Sequence, residues 1–335
     1  MKPIIFCGDT GIPFGVKVDI GPLGQLFEGK RALVNMEGAL LLEPDEYNQR
    51  RFTDKYSLFN TQYTIELYKK LNVEAASLVN NHTRDFPFPL ERTVDALNAN
   101  NIKALCNPKG NMAETRLSDG KVVLTFATYG CCHNFKLFSQ KGVLKRIAEI
   151  RTAEPDTKIA VFPHWGLELR TLPEPADRKF AHAMIDAGAD IIVGHHPHVI
   201  QPVEVYNGKT IAYSIGNFIM PNAQAMGAKF TPNPATARMM LVEWDGANVK
   251  LHGLVFDPEM CTFAVDNDFV APVIDSQTSD KEYRRQYISK VGRSHYLRFA
   301  RYRSTDGGER GRWMRMKAYY LLRRALIKMH VYKPY

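Results

Sequence analysis

Short apolar runs bounded by polar turns alternate along the chain with longer stretches of helical periodicity. The runs predict strands at Pro3–Cys7, Ala32–Asn35, Ala75–Val79, Lys103–Leu105, Val122–Thr128, Lys158–Phe162, Ile191–Val193, Val203–Tyr206, Thr210–Ser214, Arg238–Glu243 and Val249–Val255. Helical spacing predicts helices at Tyr56–Leu71, Phe88–Asn100, Gly142–Thr152 and Asp177–Ala187, the last closed by Gly188. Asn207-Gly208 between two apolar runs predicts a tight hairpin. Strands alternating with helices in this way define a layered α/β domain. The alternation fades after about Phe256. Residues 257–280, rich in Asp, Pro, Ser and Thr, read as a connecting loop, and residues 281–335 as a basic, aromatic extension, helical in two pieces around Asp306-Gly307-Gly308.

Composition narrows the class. With 45% apolar and 24% charged residues among 335, the chain is neither disordered nor collagen-like nor a disulfide-stapled miniprotein. The net charge of +9 is unevenly placed: sixteen of the 44 Lys and Arg lie in residues 281–335, with only three acids. The preceding 280 residues therefore carry a slight acidic excess, so the overall basicity belongs to the tail. Five cysteines without a Cys-x-x-Cys spacing argue against a zinc knuckle or a disulfide framework. With a strand predicted within three residues of the start, no signal peptide is expected, and no apolar run approaches the roughly 20 residues of a membrane span. A cytoplasmic protein, at most peripheral to the inner membrane face, is the expectation.

The polar residues collect where predicted strands end. Gly8-Asp9 follows the first strand, Asn35-Met36-Glu37-Gly38 the second, and Asn80-Asn81-His82 the third. His164-Trp165-Gly166-Leu167-Glu168, Gly194-His195-His196-Pro197-His198 and Gly216-Asn217-Phe218 end three later ones. Parallel strands bring their C-terminal ends to one edge, where open α/β sheets place ligands. Asp, Glu, Asn and His are hard-to-borderline donors suited to Mn, Fe, Zn or Mg. Gly8-Asp9 or Asn35-x-Glu37 alone is an ordinary turn, whereas three imidazoles in four residues rarely fill a core. His182, inside a helical pattern, reads as a packed or surface histidine.

In this order and over Ile4 to Phe256, the motifs resemble those of the CapA family, the bacterial capsule and poly-γ-glutamate synthesis proteins, within the calcineurin-like metallophosphoesterase superfamily. The most specific are Gly194-His195-His196-Pro197-His198-Val199 and Tyr213-Ser214-Ile215-Gly216-Asn217-Phe218. The resemblance implies a four-layer α/β/β/α sandwich holding two divalent metal ions, with a hydroxide between them as nucleophile. It implies Asp9 and His198 on one metal, Asn81, His164 and His196 on the other, and Glu37 bridging. His82 would assist the leaving group, oriented by Asp85, with Glu168 as a further acid. Asn35, Trp165, His195 and Asn217 would contact substrate, His195 being the spare imidazole of its motif. Two departures stand out: Asp9-Thr10-Gly11 lacks the histidine of the superfamily's Asp-x-His, and Glu37 replaces a shorter aspartate.

Two classes of function follow. One is a hydrolase acting on a phosphoester or polyanionic polymer, with attack on an amide bond as a variant. The other is a non-catalytic assembly or polymer-binding subunit of a capsule-synthesis membrane complex. In the tail, Met314, Ala318, Leu321, Leu322, Ala325 and Met329 form an apolar stripe, and Trp313, Met316, Tyr320 and Ile327 a second, with Lys317, Arg324 and Lys328 between. Packing onto the domain is the first expectation and contact with an anionic membrane surface the second. Nucleic acid is disfavoured, since no reader motif accompanies the charge.

Overall fold

The larger sheet is built from β1 (Ile4–Thr10), β2 (Arg31–Met36), β5 (Val73–Ser77), β6 (Lys103–Leu105), β13 (Asn217–Ile219), β14 (Arg238–Trp244), β15 (Val249–Asp257) and β16 (Thr262–Asp266). A second sheet contains β7 (Met112–Arg116), β8 (Val122–Ala127), β9 (Ile159–His164), β10 (Ile191–Val193), β11 (Val203–Tyr206) and β12 (Lys209–Ala212); β3 (Ala39–Leu40) and β4 (Phe59–Asn60) pair separately. This computed structural model describes residues 2–51, 57–107, 111–128, 139–221 and 234–293, with single positions 318, 321, 322, 325, 326 and 329.

The larger sheet runs β16-β15-β14-β1-β2-β5-β6, with β13 beside the end of β1, and the smaller runs β11-β12-β10-β9-β8-β7. In the first, β1, β2, β5, β6 and β13 are parallel, and in the second β8, β9, β10 and β12 are. Period-two alternation sorts the side chains of each strand onto two faces. Ile4, Phe6, Leu33 and Ala75 of one sheet share a core with Val123, Phe162, Ile191 and Val193 of the other. The opposite face of the larger sheet, through Ile5, Val34 and Ala76, packs on Ile65, Tyr68 and Leu97 from the helices Gln62–Lys70 and Leu90–Asn98. The outer face of the smaller sheet, through Leu124, Val161 and Ile192, packs on Ile147, Phe180 and Met184 from the helices Gln140–Ala153 and Pro175–Asp186. The two sheets thus face each other, and the parallel strands of both contribute polar C-terminal ends to the site.

Most expected elements are present, with shifted ends. The helix expected from Tyr56 starts at Gln62, because Phe59-Asn60 is a short strand that caps the loop after Glu37. Asn207 and Gly208 both take positive φ, 48° and 72°, which is the turn that joins β11 to β12. The connecting loop expected at 257–280 is corrected: Thr262–Asp266 is an edge strand on β15, and Pro272 and Ile274 hydrogen-bond to Val203 of β11. β7, with charged and polar residues at an edge, also escaped the apolar pattern.

The helix Asp280–Val291 is fastened by a buried polar cluster. Arg178, 1% exposed, donates through Nε and Nη2 to both oxygens of Glu204 at 3.2 and 2.7 Å, and through Nη1 to Asp280 at 3.0 Å. Tyr213 Oη donates to Glu204 at 2.6 Å, and His182 Nε2 lies 3.0 Å from it. Tyr287 Oη donates to Glu174, and Tyr283 Oη to the Pro173 carbonyl. His182 is thus a packed histidine. At described positions of the tail's apolar stripe, Leu321, Leu322 and Met329 are each 59% exposed. The rest of the tail, with His295 and His330, and the Cys131-Cys132-His133 segment lie outside the described residues. Among the described residues no helix is long and apolar enough to cross a membrane.

Removing the carboxylate of Glu204 strands a buried guanidinium, which costs about 3–5 kcal/mol. Glu204→Ala is expected to lower the urea midpoint accordingly; a shift below about 1 kcal/mol would show that Arg178 finds other partners.

Candidate metal centre

The site starts with a break in alternation. Ile5 and Cys7 face the helices, and strict alternation would send Asp9 the same way. Instead the register slips by one residue between Cys7 and Asp9 against β2, and slips again after Asp9 against β13. This bulge turns Asp9 inward, to the side facing the smaller sheet. It requires Gly8, whose place beside the Gly216 carbonyl leaves no room for a Cβ, which would sit 1.9 Å from that oxygen. Asn35, on β2, points inward by ordinary alternation with Leu33 and donates to Asp9 Oδ1 at 2.8 Å.

From the smaller sheet, β9 ends in His164, and β10 runs through Gly194 into the histidine loop. His196 and His198 there adopt φ of +97° and +60°, a conformation non-glycine residues reach only when the surroundings enforce it. The backbone N–H of His196 donates to Asp9 Oδ2 at 3.1 Å, while His198 Nδ1 lies 3.4 Å from that oxygen and 2.8 Å from Asn217 Oδ1. His164 Nε2 is 2.8 Å from Asn81 Oδ1 and 3.7 Å from Glu37 Oε1. The donor atoms form two groups, Asp9, His164 and His195, and Glu37, His196 and His198, each within 4.8 Å. The motif ends thus converge from two sheets rather than along one.

Glu37 decides what the cluster is suited to hold. It is fully buried, and neither carboxylate oxygen has a hydrogen-bond partner. Burial, reinforced by the Asp9 charge, pushes its carboxyl well above the usual range. Burial also opposes the charge of Asp9, yet hydrogen bonds from His195 and His198 hold Asp9 well below it. Burial pushes His196 down to about 4, and it pushes His164 down as well, helped by the neighbouring imidazoles. His198 is pushed up to about 10, since the Glu37 and Asp9 carboxylates outweigh its burial. The Nδ1 of His196 and Nε2 of His195 are buried without partners too. Neutral imidazoles, carboxylates and an amide around an unsatisfied buried carboxylate are the donor set of a divalent cation. The residues present fit one.

At one flank, His82 Nδ1 is 2.5 Å from Asp85 Oδ2, so the carboxylate three residues on orients the ring. Glu168 is exposed at the rim, close enough for its charge to act on Glu37, His196 and His198. The residues expected to contact substrate are instead engaged inside the protein. Trp165 is 1% exposed, its indole N–H donating to the Tyr213 carbonyl at 2.8 Å, and is a core residue under the histidine loop. His195 is fully buried against Phe162, with Nδ1 2.9 Å from Asp9 Oδ1 and 3.0 Å from His164 Nδ1. Asn35 is fully buried between Asp9 and Asn80. Asn217 braces His198 and donates to the Thr236 carbonyl. The residue missed is Asn80, which lies inside a recognised motif but has no role that its sequence position reveals.

A family model described as bacterial capsule synthesis protein PGA_cap matches residues 23–222, a span that holds every site residue except Asp9. The chain belongs to this family. It is 33% identical over 190 residues to the PGA biosynthesis protein CapA of Bacillus subtilis (strain 168), covering 51% of this chain and 49% of that protein. It is 30% identical over 203 residues to the capsule biosynthesis protein CapA of Bacillus anthracis, covering 55% and 49%. The chain thus matches about half the length of these relatives. Among solved structures, a hypothetical protein from Thermus thermophilus aligns with a TM-score of 0.42 and 15% identity, over 75% of this chain and 98% of that one, too loosely to bear on the fold.

Because the Glu37–His198 pair holds a proton to unusually high pH, that proton must leave before both groups can ligate a cation. Cation uptake is therefore expected to liberate protons, and apparent affinity to rise with pH toward about 10, where His198 loses its proton. Calorimetric titration with Mn²⁺ in buffers of different ionisation enthalpy counts them; uptake without proton release would contradict the assignment of these two residues as ligands.

Proposed function

We propose that this chain is a metal-dependent hydrolase of the metallophosphoesterase type, built as the four-layer sandwich of that superfamily. Its place would be in the synthesis of a capsule or another poly-γ-glutamate-like polyanion. The observation that carries this reading is the buried, unpartnered Glu37 carboxylate ringed by imidazoles, with an oriented His82 alongside. Two divalent ions, Mn, Fe or Zn, would be held by Asp9 and His198 on one side and by Asn81, His164 and His196 on the other. Glu37 would lie between them, and His195 would brace Asp9 and His164 from behind. Such ions supply Lewis acidity and bring the pKa of water down to about 7.

The chain's own groups do the rest. Asp85 fixes Nδ1 of His82, which directs proton donation through Nε2 to the departing oxygen. Asn217 keeps His198 aimed at Asp9. Glu168 at the rim is the second acid. His82→Ala is expected to keep its metal while turnover of a chromogenic aryl phosphodiester falls by roughly 10²–10⁴. Unchanged turnover in that variant removes the role, and a wild-type protein that stays metal-free under Mn²⁺ and Zn²⁺ repletion favours the assembly-subunit reading.

The tail is proposed to contact anionic lipid at the site of a capsule-synthesis complex. The exposed Leu321, Leu322 and Met329 are interspersed along the sequence with Arg323, Arg324 and Lys328. Full-length protein is expected to co-sediment with phosphatidylglycerol vesicles, and an R323E/R324E/K328E variant to lose most of that binding. Equal sedimentation of the two would sink the idea.

A further inference from the structure

Asn80 shares a motif with Asn81 and His82, and its side chain ties together several stretches of the surrounding backbone. Its Nδ2 donates to Asn35 Oδ1 at 3.1 Å and to the Met36 carbonyl at 2.9 Å. Its Oδ1 accepts from the backbone N–H of His82 at 3.1 Å and of Thr83 at 3.0 Å, with Thr83 Oγ1 at 2.9 Å. Both ends of the amide are therefore committed. On the far side, Asn35 passes the contact on to Asp9 Oδ1 at 2.8 Å. An unbroken run of side-chain amides thus joins the Asp9 carboxylate at the end of β1 to the loop that carries Asn81 and His82, through the end of β2.

We propose that Asn35 and Asn80 act together as positioning residues that set the Asn81–His82 loop relative to Asp9. The proposal rests on the metal reading above and extends it to two residues that touch neither ion nor substrate. The chemistry favours amides at both positions. An amide is at once donor and acceptor, so it can hand a hydrogen bond along a chain, and it stays uncharged beside buried carboxylates. An aspartate at position 80 would set an acceptor against Asn35 Oδ1 and the Met36 carbonyl. An alanine would remove the bonds to Asn35, Met36, His82 and Thr83, leaving the loop held by Thr83 to Leu78, His82 to Asp85 and Asn81 to His164. Groups of this kind, one step behind metal ligands, typically change affinity or activity by about 10–100-fold when removed.

The test uses full-length Asn35→Ala, with Asn35→Ser as the milder replacement should alanine not fold. Two readouts are taken: Mn²⁺ affinity by calorimetry, and amide hydrogen exchange at His82 and Thr83. Asn35 touches neither of those amides, so a merely local role would leave their exchange unchanged. The expected result is a loss of Mn²⁺ affinity of about 10-fold or more, with exchange at both amides faster by a similar factor. Unchanged exchange at His82 and Thr83 overturns the coupling, whatever happens to Mn²⁺. Wild-type protein that takes up no Mn²⁺ overturns the metal reading instead, and accelerated exchange in Asn35→Ala then still supports the link between the two loops.

Discussion

A carboxylate shut away from water without a hydrogen-bond donor has two ways to exist: it takes a proton, or it takes a cation. Glu37 is in that position, and the groups gathered around it are consistent with the second outcome. Burial keeps His164 and His196 neutral, so that their lone pairs remain available. Asp9 is stabilised as an anion by the imidazoles and the peptide N–H that surround it. Several of the site residues have a support of their own. Asn35 and His195 hold Asp9, Asn217 holds His198, and Asp85 holds His82. A single unsatisfied acid thus accounts for a set of polar side chains that would otherwise burden the interior.

The backbone meets the same demand by local irregularity. The bulge at Gly8 reverses the facing of the last residues of β1, and the left-handed His196 and His198 fold the loop after β10 back over the rim. Neither feature is the lowest-energy course for the chain locally. Both persist because the two sheets and the helices outside them over-determine the path on either side.

The polar ends of β1, β2, β5, β9 and β10 were legible in the sequence because each follows a short apolar run, and the order of motifs pointed to the family. Less was readable in the direction each side chain takes. Trp165 adjoins metal-ligand candidates in sequence, yet turns into the core, whereas His195, expected as a spare, sits among the donors beside Asp9 and His164. His195 directly precedes His196, and nothing in Gly194-His195-His196 says which ring faces the pocket. The division of the strand ends between two sheets was also hidden, because parallel strands read alike wherever they pair. β7 and β16 were missed for a different reason. They are edge strands; β7 carries charged and polar residues, and the short Phe263-Ala264-Val265 run of β16 lies in a stretch otherwise rich in Asp, Pro, Ser and Thr.

The rim is shared between the two sheets, which has a consequence for biosynthesis. Asp9 is translated well before the imidazoles that complete its surroundings, since His195 follows it by 186 positions. A nascent chain holding only β1, β2, β5 and β6 has an incomplete pocket, with carboxylate and amide but no histidine loop. The candidate cation-binding groups are therefore complete only after the second sheet has been made.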